Sequence, residues 1–326
     1  MNEPILKVTD LKMHFPVYKG ILKRQIASVK AVDGVSFSIE KGKTFGLVGE
    51  SGSGKSTVGN CILRRIEMTE GSVIYKGRNL ADVSKSEMRA LRQDLQMITQ
   101  DPYGSLDPRQ SIYQVISEGI RIHGLLKSEK EIGDRVKELM EMVGLNPEFS
   151  VRFPHEFSGG QRQRISIARA LAVDPSFIVC DEIVSALDVS IQSQIVTLMM
   201  ELQKKQDLTY IFIGHDLSVV RYISDTVGVM YLGKLMELTD SDELYVNPLH
   251  PYTKALISAV PIPNPRIDRA RERIVLKGEI PSPINPPFGC KFCTRCPFAD
   301  RRCTEEEPEF RDVGGGHYVA CHHVGG

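Results

Sequence analysis

The sequence has no tryptophan, no net charge and no apolar run long enough to cross a membrane. A membrane-spanning helix needs about 18 to 20 consecutive apolar residues, so the chain is predicted to have none. The first fifteen residues, MNEPILKVTDLKMHF, lack the apolar core of a secretory signal, which predicts a cytosolic chain. Lysine plus arginine balance aspartate plus glutamate at 41 each, so bulk charge does not favour nucleic acid or an anionic membrane as a partner.

Cysteine is scarce except near the end of the chain. Four of the seven cysteines fall within GCKFCTRCPFADRRC (289–303), and Cys321 follows. Thiols stay reduced in the cytosol, where a dense cysteine group typically binds metal or does redox work. Cys61 and Cys180 lie in apolar runs and are predicted to be core residues.

Buried strands alternate with amphipathic helices over most of the chain. The strands are predicted in KTFGLVG (43–49), SFIVCD (176–181) and LTYIFIGHD (208–216), and a helix in 190–206. This alternation is typical of an α/β fold with a parallel sheet. Two apolar runs around Gly233 and Lys234 predict a hairpin in 225–239.

Two regions depart from this alternation. The segment from about 102 to 165 has helical periodicity without a strand, which predicts an all-helical insertion. After residue 246 proline becomes frequent, which is predicted to exclude regular helix and central strand. We therefore predict a main domain over 1–255 and a small extension over 256–326. The extension needs a stabilising cross-link, here called a staple, to fold.

GESGSGKST matches the phosphate-loop pattern G-x-x-x-x-G-K-[ST] and lies between a predicted strand and a predicted helix. Glycines let backbone N–H groups turn inward around a phosphate, and the helix N-terminus adds its positive dipole end. This context favours nucleotide binding over a plain Gly/Ser turn, with Lys55 on the β/γ phosphates and Ser56 on Mg²⁺. The predicted nucleotide-binding residues of the loop are Gly49, Glu50, Ser51, Gly52, Ser53, Gly54, Lys55, Ser56 and Thr57.

A pair of carboxylates follows the strand in FIVCDEIVSALD. Asp181 ends that strand and is predicted to hold Mg²⁺. Glu182 is the candidate to accept a proton from the attacking water. Without the phosphate loop, the same pair would be explained equally well as a solvated turn.

The segment EFSGGQRQRISIARAL resembles the signature sequence of ATP-binding cassette (ABC) ATPases. The resemblance implies a P-loop NTPase with a RecA-like core, an antiparallel β subdomain and an all-helical signature subdomain, followed here by the cysteine-rich extension. In that family the signature completes the ATP site of a second cassette, so the chain is expected to dimerise around ATP. The matching positions are Ser158, Gly159, Gly160 and Gln161.

Further family positions follow in the expected order. Gln100 matches the glutamine that senses Mg²⁺ and water, His215 the switch histidine, and Asp188 the aspartate at the cassette–cassette contact. Phe15 matches the aromatic residue that stacks on adenine. Ile183 stands where the family usually has proline; Asp181 and Glu182 are retained, so hydrolysis is still predicted, at a rate left open.

The proline-rich tail, 247–261 and 279–303, resembles that of dipeptide and oligopeptide importer ATP-binding subunits. The resemblance implies a second, similar ATPase (or a homodimer in isolation), two membrane permeases and an extracellular binding protein. It places the chain peripherally on the cytoplasmic face of the membrane, without nucleic acid. Peptides are the expected cargo, with nickel, glutathione and oligosaccharide left open. Two alternatives are a soluble cassette ATPase acting on nucleic acid and a non-catalytic, ATP-sensing subunit.

The same resemblance assigns a 4Fe–4S cluster to four cysteines and leaves Cys293 spare. Ferredoxin-like spacing of the first three thiols is a competing set, and zinc a competing metal. The family set is Cys290, Cys296, Cys303 and Cys321, with His317, His322 and His323 as weaker alternative ligands.

We predict that the cluster is a structural staple whose loss leaves nucleotide affinity nearly intact. Basic side chains nearby are predicted to offset its negative charge. These are Lys291, Arg295, Arg301 and Arg302.

Overall fold

The computed structural model describes residues 3–20, 24–101, 104–261 and 273–324. The chain divides into two compact units. Unit 1 comprises Met1–Ile39, Thr44–Ala81 and Ile213–Gly326, and unit 2 comprises Glu40–Lys43 and Asp82–Phe212. No helix in the described ranges is long and apolar enough to cross a membrane.

The strands and helices alternate through most of the chain. The strands are β1 (Leu6–Lys19), β2 (Arg24–Ile39), β3 (Thr44–Val48), β4 (Glu70–Tyr75), β5 (Arg78–Asn79), β6 (Leu95–Ile98), β7 (Phe177–Asp181), β8 (Thr209–Gly214), β9 (Thr226–Tyr231), β10 (Lys234–Asp240), β11 (Arg311–Asp312) and β12 (Tyr318–Val319). The helices are α1 (Lys55–Ile62), α2 (Lys85–Asp94), α3 (Ile112–His123), α4 (Glu129–Met142), α5 (Gly159–Leu171), α6 (Val189–Gln206), α7 (Leu217–Ile223), α8 (Ser241–Val246), α9 (Pro251–Ala259) and α10 (Arg301–Glu305). Two short 3-10 helices cover Pro147–Val151 and Pro154–Glu156.

Unit 1 contains an antiparallel sheet and a run of mixed strands. The antiparallel sheet has the order β2-β1-β4-β5, and the mixed strands run β11-β12-β10-β9-β3. All five residues of β3 are buried, and β3 pairs in parallel with β9, Phe45 opposite Thr226. β9 and β10 form the predicted hairpin, in which Leu232 and Gly233 both have positive φ, as a tight type I′ turn requires.

Unit 2 combines buried parallel strands with the helical segment. Its strands lie in the order β8-β7-β6, and β6 pairs in parallel with β7. The described part of 104–171 holds three α-helices and two 3-10 helices and no strand, as predicted; residues 102 and 103 lie outside the described ranges. α3, α4 and α5 each begin with a capping box, in which a serine side chain and a glutamine or glutamate satisfy backbone N–H groups that would otherwise be unpaired.

The expectation that proline excludes helix after residue 246 is wrong at α9. Pro251 is the first residue of that helix, where its missing N–H costs no hydrogen bond. His250 caps α9 because its Nδ1 accepts the N–H of Tyr252 at 3.0 Å. Further on, β12 pairs with β10, Val319 opposite Glu237, so the extension adds strands to unit 1.

Candidate functional site

The phosphate loop joins β3 to α1 and depends on its glycines. Gly49 and Gly54 have φ of 153° and 104°, a region that favours glycine. A Cβ at Gly49 would lie 2.1 Å from the carbonyl oxygen of Met230, and one at Gly54 would lie 2.1 Å from that of Ala31. Any other residue would therefore have to displace backbone, which fixes the shape of the loop.

Lys55 lies across this loop with only 4% of its surface exposed. Its Nζ donates to the carbonyl oxygens of Gly49 at 2.8 Å and Glu50 at 3.1 Å. Ser53 Oγ is buried and has no hydrogen-bond partner among the described residues. Ser56 and Thr57 lie in the first turn of α1. A buried ammonium, an orphaned hydroxyl and a helix N-terminus together suit a polyphosphate and its Mg²⁺.

Glu50 has contacts that the sequence does not reveal. Its N–H donates to Tyr252 Oη at 3.0 Å. Its carboxylate accepts two hydrogen bonds from Arg295, at 2.6 and 3.1 Å. Burial raises the pKa of Tyr252, so the hydroxyl remains protonated, and the hydrogen bonds to Glu50 raise the pKa of Arg295. No local pattern marks Tyr252 or Arg295, because both are distant in sequence.

The carboxylate pair of unit 2 follows the fully buried strand β7. Asp181 is buried at the strand end, and Glu182 has a positive φ of 49°. The carbonyl oxygen of Glu182 accepts hydrogen bonds from Ser185, from N at 3.1 Å and Oγ at 2.9 Å. Gln192 Nε2 donates to the carbonyl oxygens of Val184 and Leu187. These bonds hold the backbone after Glu182 where the family's proline is missing.

Gln100 and Glu182 lie together in unit 2. Gln100 Nε2 donates to Glu182 Oε2 at 3.0 Å and is 3.4 Å from Ser185 Oγ. The amide therefore orients the carboxylate proposed to accept a proton.

Two further predicted site residues are exposed. His215 follows β8, and Phe15 lies on β1 with 37% of its surface exposed.

The signature residues form the start of α5. Ser158 Oγ accepts the N–H of Gln161, and Gln161 Oε1 accepts the N–H of Ser158. Gly159 lies beside Leu187, and a Cβ at Gly160 would lie 2.6 Å from Ile191 Cγ2, so α6 packs too closely for a side chain there. Asp188 caps α6 by accepting the N–H of Ile191, a contact within the chain that the resemblance does not imply.

The thiols of the extension are close enough for their charges to interact, but among the described residues the group of ligand atoms within 4.8 Å of one another consists of Asp300, Cys303 and His323. The N–H of Cys290 donates to the carbonyl oxygen of Cys303 at 2.8 Å. The pKa of Cys290 is raised to about 12, mainly by burial and in smaller part by the charges of Cys293, Cys303 and Cys321. Burial also raises the pKa of Cys296, with Cys321 and Cys303 adding to the rise. A bound metal would remove this cost because it deprotonates its thiol ligands.

Backbone hydrogen bonds favour thiolate at all four cysteines in the family set, including Cys303, where the backbone of Asp300 lowers the pKa. The N–H of Phe292 lowers the pKa of Cys290 and that of Phe298 lowers the pKa of Cys296, each against the larger effect of burial. The backbone of His323 acts on Cys321 in the same way. The backbone of Thr294 lowers the pKa of Cys293 in the same way, so these hydrogen bonds suit thiolate ligands in general and do not distinguish the family set from the other cysteine.

One of the thiols also belongs to a second ligand set. Cys303 Sγ lies 3.5 Å from His323 Nε2, and candidate ligand atoms of Asp300, Cys303 and His323 all lie within 4.8 Å of one another. A mixed sulfur, nitrogen and oxygen set suits zinc. Zinc therefore remains the alternative to an iron–sulfur cluster. Of the three histidines considered as alternative ligands, His323 is the one that lies in this set.

The basic side chains predicted to offset the negative charge of the thiols contact carboxylates in the structure. Each of the four basic side chains pairs with a carboxylate, which reduces the positive charge that it presents to the thiols. Lys291 shares its partner Glu307 with Lys234, and its charge still lowers the pKa of Cys293. The pairs are Lys291–Glu307, Arg295–Glu50, Arg301–Glu305 and Arg302–Glu306.

Two family models match the chain. Residues 32–185 match the model described as ABC transporter, and residues 236–303 match the model described as oligopeptide/dipeptide transporter, C-terminal region. The chain is 55% identical to the oligopeptide transport ATP-binding protein AppF of Bacillus subtilis (strain 168), over 98% of both chains. It is 51% identical to the oligopeptide transport ATP-binding protein OppF of Salmonella typhimurium, over 93% of this chain and 92% of the relative.

The chain belongs to the ABC transporter ATPase family. Solved cassettes share its fold. cbiO1 from Clostridium perfringens is 27% identical with a TM-score of 0.65, covering 76% of this chain and 92% of its own. The cassette MJ0796, solved as a dimer in a post-hydrolysis state bound to ADP and Pi, is 25% identical with a TM-score of 0.64, covering 72% and 98%. The α/β cassette fold predicted from the sequence is therefore confirmed, and the chain is an ATPase of this family.

Proposed function

We propose that this chain hydrolyses ATP to power the import of oligopeptides through an ABC transporter. The observation that carries this proposal is the full-length likeness to oligopeptide transport ATP-binding proteins, which includes the extension as well as the cassette. A general cassette function would explain only the match over 32–185.

The local geometry supports ATP binding by residues of unit 1 and ATP hydrolysis by residues of unit 2. In unit 1, Lys55 and the N-terminus of α1 bind the phosphates, and Phe15 stacks on adenine. In unit 2, Glu182 takes the proton of the attacking water while Gln100 orients its carboxylate. The family resemblance assigns Mg²⁺ to Ser56, Gln100 and Asp181, the switch role to His215, and the trans contact to Ser158, Gly159, Gly160, Gln161 and Asp188.

The proposed assembly contains more than one chain. A second ATPase subunit, or a second copy in isolation, closes with this chain on ATP. Two permeases span the membrane, and a binding protein delivers peptide from outside. This chain then lies peripherally on the cytoplasmic face. The dimeric state of the similar cassette MJ0796 supports the first of these contacts.

Peptide uptake tests the function in cells that lack this chain. Re-expression of the natural chain should restore uptake of a radiolabelled tetrapeptide, and Lys55→Ala should leave it at background because the phosphates lose their ammonium partner. Lys41→Ala is the matched control, since Lys41 is exposed and pairs only with Asp207 among the contacts described for it. Peptide uptake that persists with Lys55→Ala, or a deletion that affects only nickel, glutathione or oligosaccharide uptake, would contradict the proposal.

We further propose that the extension binds a 4Fe–4S cluster through the family's four cysteines. The family resemblance of the tail supports this set, and backbone hydrogen bonds that favour thiolate act on each of its four cysteines. Protein purified without oxygen should absorb in the visible blue and contain about four iron atoms per chain. Cys293→Ser should keep that iron, and Cys303→Ser should lose it. A colourless protein loaded with one zinc ion would contradict the proposal and favour the set around His323.

A further inference from the structure

We infer that Arg295 positions the phosphate loop and thereby couples the cysteine-bearing segment 289–303 to nucleotide affinity. The inference rests on the proposed nucleotide function of the loop and assigns a second task to the extension. Arg295 lies between Cys293 and Cys296 in sequence, whereas its partner Glu50 is the second residue of the phosphate loop.

The pair has the geometry of a rigid clamp. Arg295 Nη1 lies 2.6 Å from Glu50 Oε2, and Nη2 lies 3.1 Å from Oε1. The Arg295 side chain is 8% exposed and that of Glu50 is 28% exposed. Two parallel hydrogen bonds fix both the distance and the plane of the carboxylate, which a single lysine ammonium cannot do.

A second contact reaches the same residue through an aromatic cluster. Tyr252 Oη accepts the N–H of Glu50. The ring of Tyr252 packs against Tyr231 and Phe292, with centroids 4.8 and 5.3 Å away. Phe292 is fully buried and lies between Cys290 and Cys293 in sequence. The folded cysteine segment therefore supports Glu50 by charge and by packing.

Glu50 is held at every polar group of its residue. Its N–H bonds to Tyr252, its carboxylate to Arg295, and its carbonyl oxygen to Lys55 Nζ and the N–H of Ser53. Phosphate recognition by backbone N–H groups requires a preformed loop, and a loop that must first be ordered binds more weakly. Loss of Arg295 therefore removes part of the preorganisation. This argues against our expectation that the staple and nucleotide affinity are separable.

Nucleotide affinity in the full-length, metal-loaded chain tests the clamp. The Kd for a fluorescent ATP analogue with Mg²⁺ should rise about five- to tenfold in Arg295→Ala, because the two groups are directly coupled. Arg295→Lys should recover only part of this loss. Arg301→Ala is the matched control from the same segment: its side chain is exposed and pairs with Glu305 alone among the contacts described for it, so the Kd should not change.

A double-mutant cycle separates the clamp from a general loosening. Glu50→Gln should weaken binding by a similar factor, and adding Arg295→Ala to it should cost less than twofold more. Additive losses would overturn the inference. If thermal melting shows that Arg295→Ala does not fold, the cycle can be made with Arg295→Lys and Glu50→Gln. Additive losses of affinity in that cycle would also overturn the inference.

The metal gives an independent readout. Removal of the metal bound by the cysteines, with the chelator then washed out and Mg²⁺ restored, should raise the Kd of the natural chain and change that of Arg295→Lys less. Equal changes in the two Kd values would contradict the coupling. The Lys55→Ala variant distinguishes failure of the Arg295 inference from failure of the proposed nucleotide site. Lost binding in Lys55→Ala with unchanged binding in every Arg295 variant would overturn only the clamp. Unchanged binding in Lys55→Ala would overturn the proposed nucleotide site itself.

Discussion

Glu182→Gln is expected to lower ATP turnover by about 10²- to 10⁴-fold, the contribution of a positioned general base. The change removes the basic oxygen but keeps the shape of the side chain. The backbone of Glu182 is held by Ser185, and Gln100 can still donate to the remaining side-chain carbonyl. Nucleotide affinity should therefore remain within about twofold, since the loss concerns the transition state and not the bound ATP. Turnover is measured as phosphate release from the assembled transporter.

The control for this prediction lies on the neighbouring helix. Glu201→Gln makes the same chemical change at an exposed position of α6 and should leave turnover unchanged. Gel filtration with ATP and Mg²⁺ adds a second readout, because the slow variant should accumulate as the ATP-bound dimer. If Glu182→Gln turned over ATP at the natural rate in the assembled complex, the chain would be the non-catalytic, ATP-sensing subunit.

Local patterns predicted those parts of the fold and site whose residues are neighbours in sequence. The apolar runs at 43–49 and 176–181 become β3 and β7, which are buried along their full length. The glycine pattern predicted a tight loop, and positive φ at Gly49 and Gly54 with no room for a Cβ shows why. Strand, turn and helix signals act within a few residues, so one sequence is enough to read them.

Contacts between distant residues could not be predicted in this way. Glu50 and Arg295 are 245 positions apart, and Glu50 and Tyr252 are 202 apart. Proximity in sequence predicts that Arg295 offsets the charge of the thiols, whereas the fold pairs it with Glu50 of the phosphate loop. The error at Pro251 has a different cause, since proline breaks a helix interior but suits its first turn. The frequency of proline alone does not show whether a proline lies inside a helix or at its first turn.

Glu237→Ala is expected to lower the free energy of unfolding by about 3 to 5 kcal/mol, since it leaves several buried groups unpaired. Glu237 lies on β10 with none of its surface exposed. Its Oε1 accepts from the N–H of Leu249 and from His317 Nε2, each at 2.7 Å, and its Oε2 accepts from the N–H of His250 at 2.9 Å. Removal of one carboxylate thus orphans two backbone donors and one ring nitrogen. Urea denaturation followed by far-UV circular dichroism measures the loss.

Glu243 provides the matched carboxylate because it faces the same histidine from the surface. Its Oε1 lies 3.9 Å from His317 Nδ1, and its side chain is 45% exposed, so Glu243→Ala should cost less than about 1 kcal/mol. Glu237→Gln keeps one side-chain oxygen as acceptor and should fall between the two alanine variants. His317→Ala should cost less than Glu237→Ala and add little to it in the double variant, because the backbone donors are already unpaired. Equal, small losses for Glu237→Ala and Glu243→Ala would show that the buried carboxylate does not join β10 to α9 and the extension. A large loss confined to Glu237 would show that one side chain joins the N-terminus of α9 and the extension to β10.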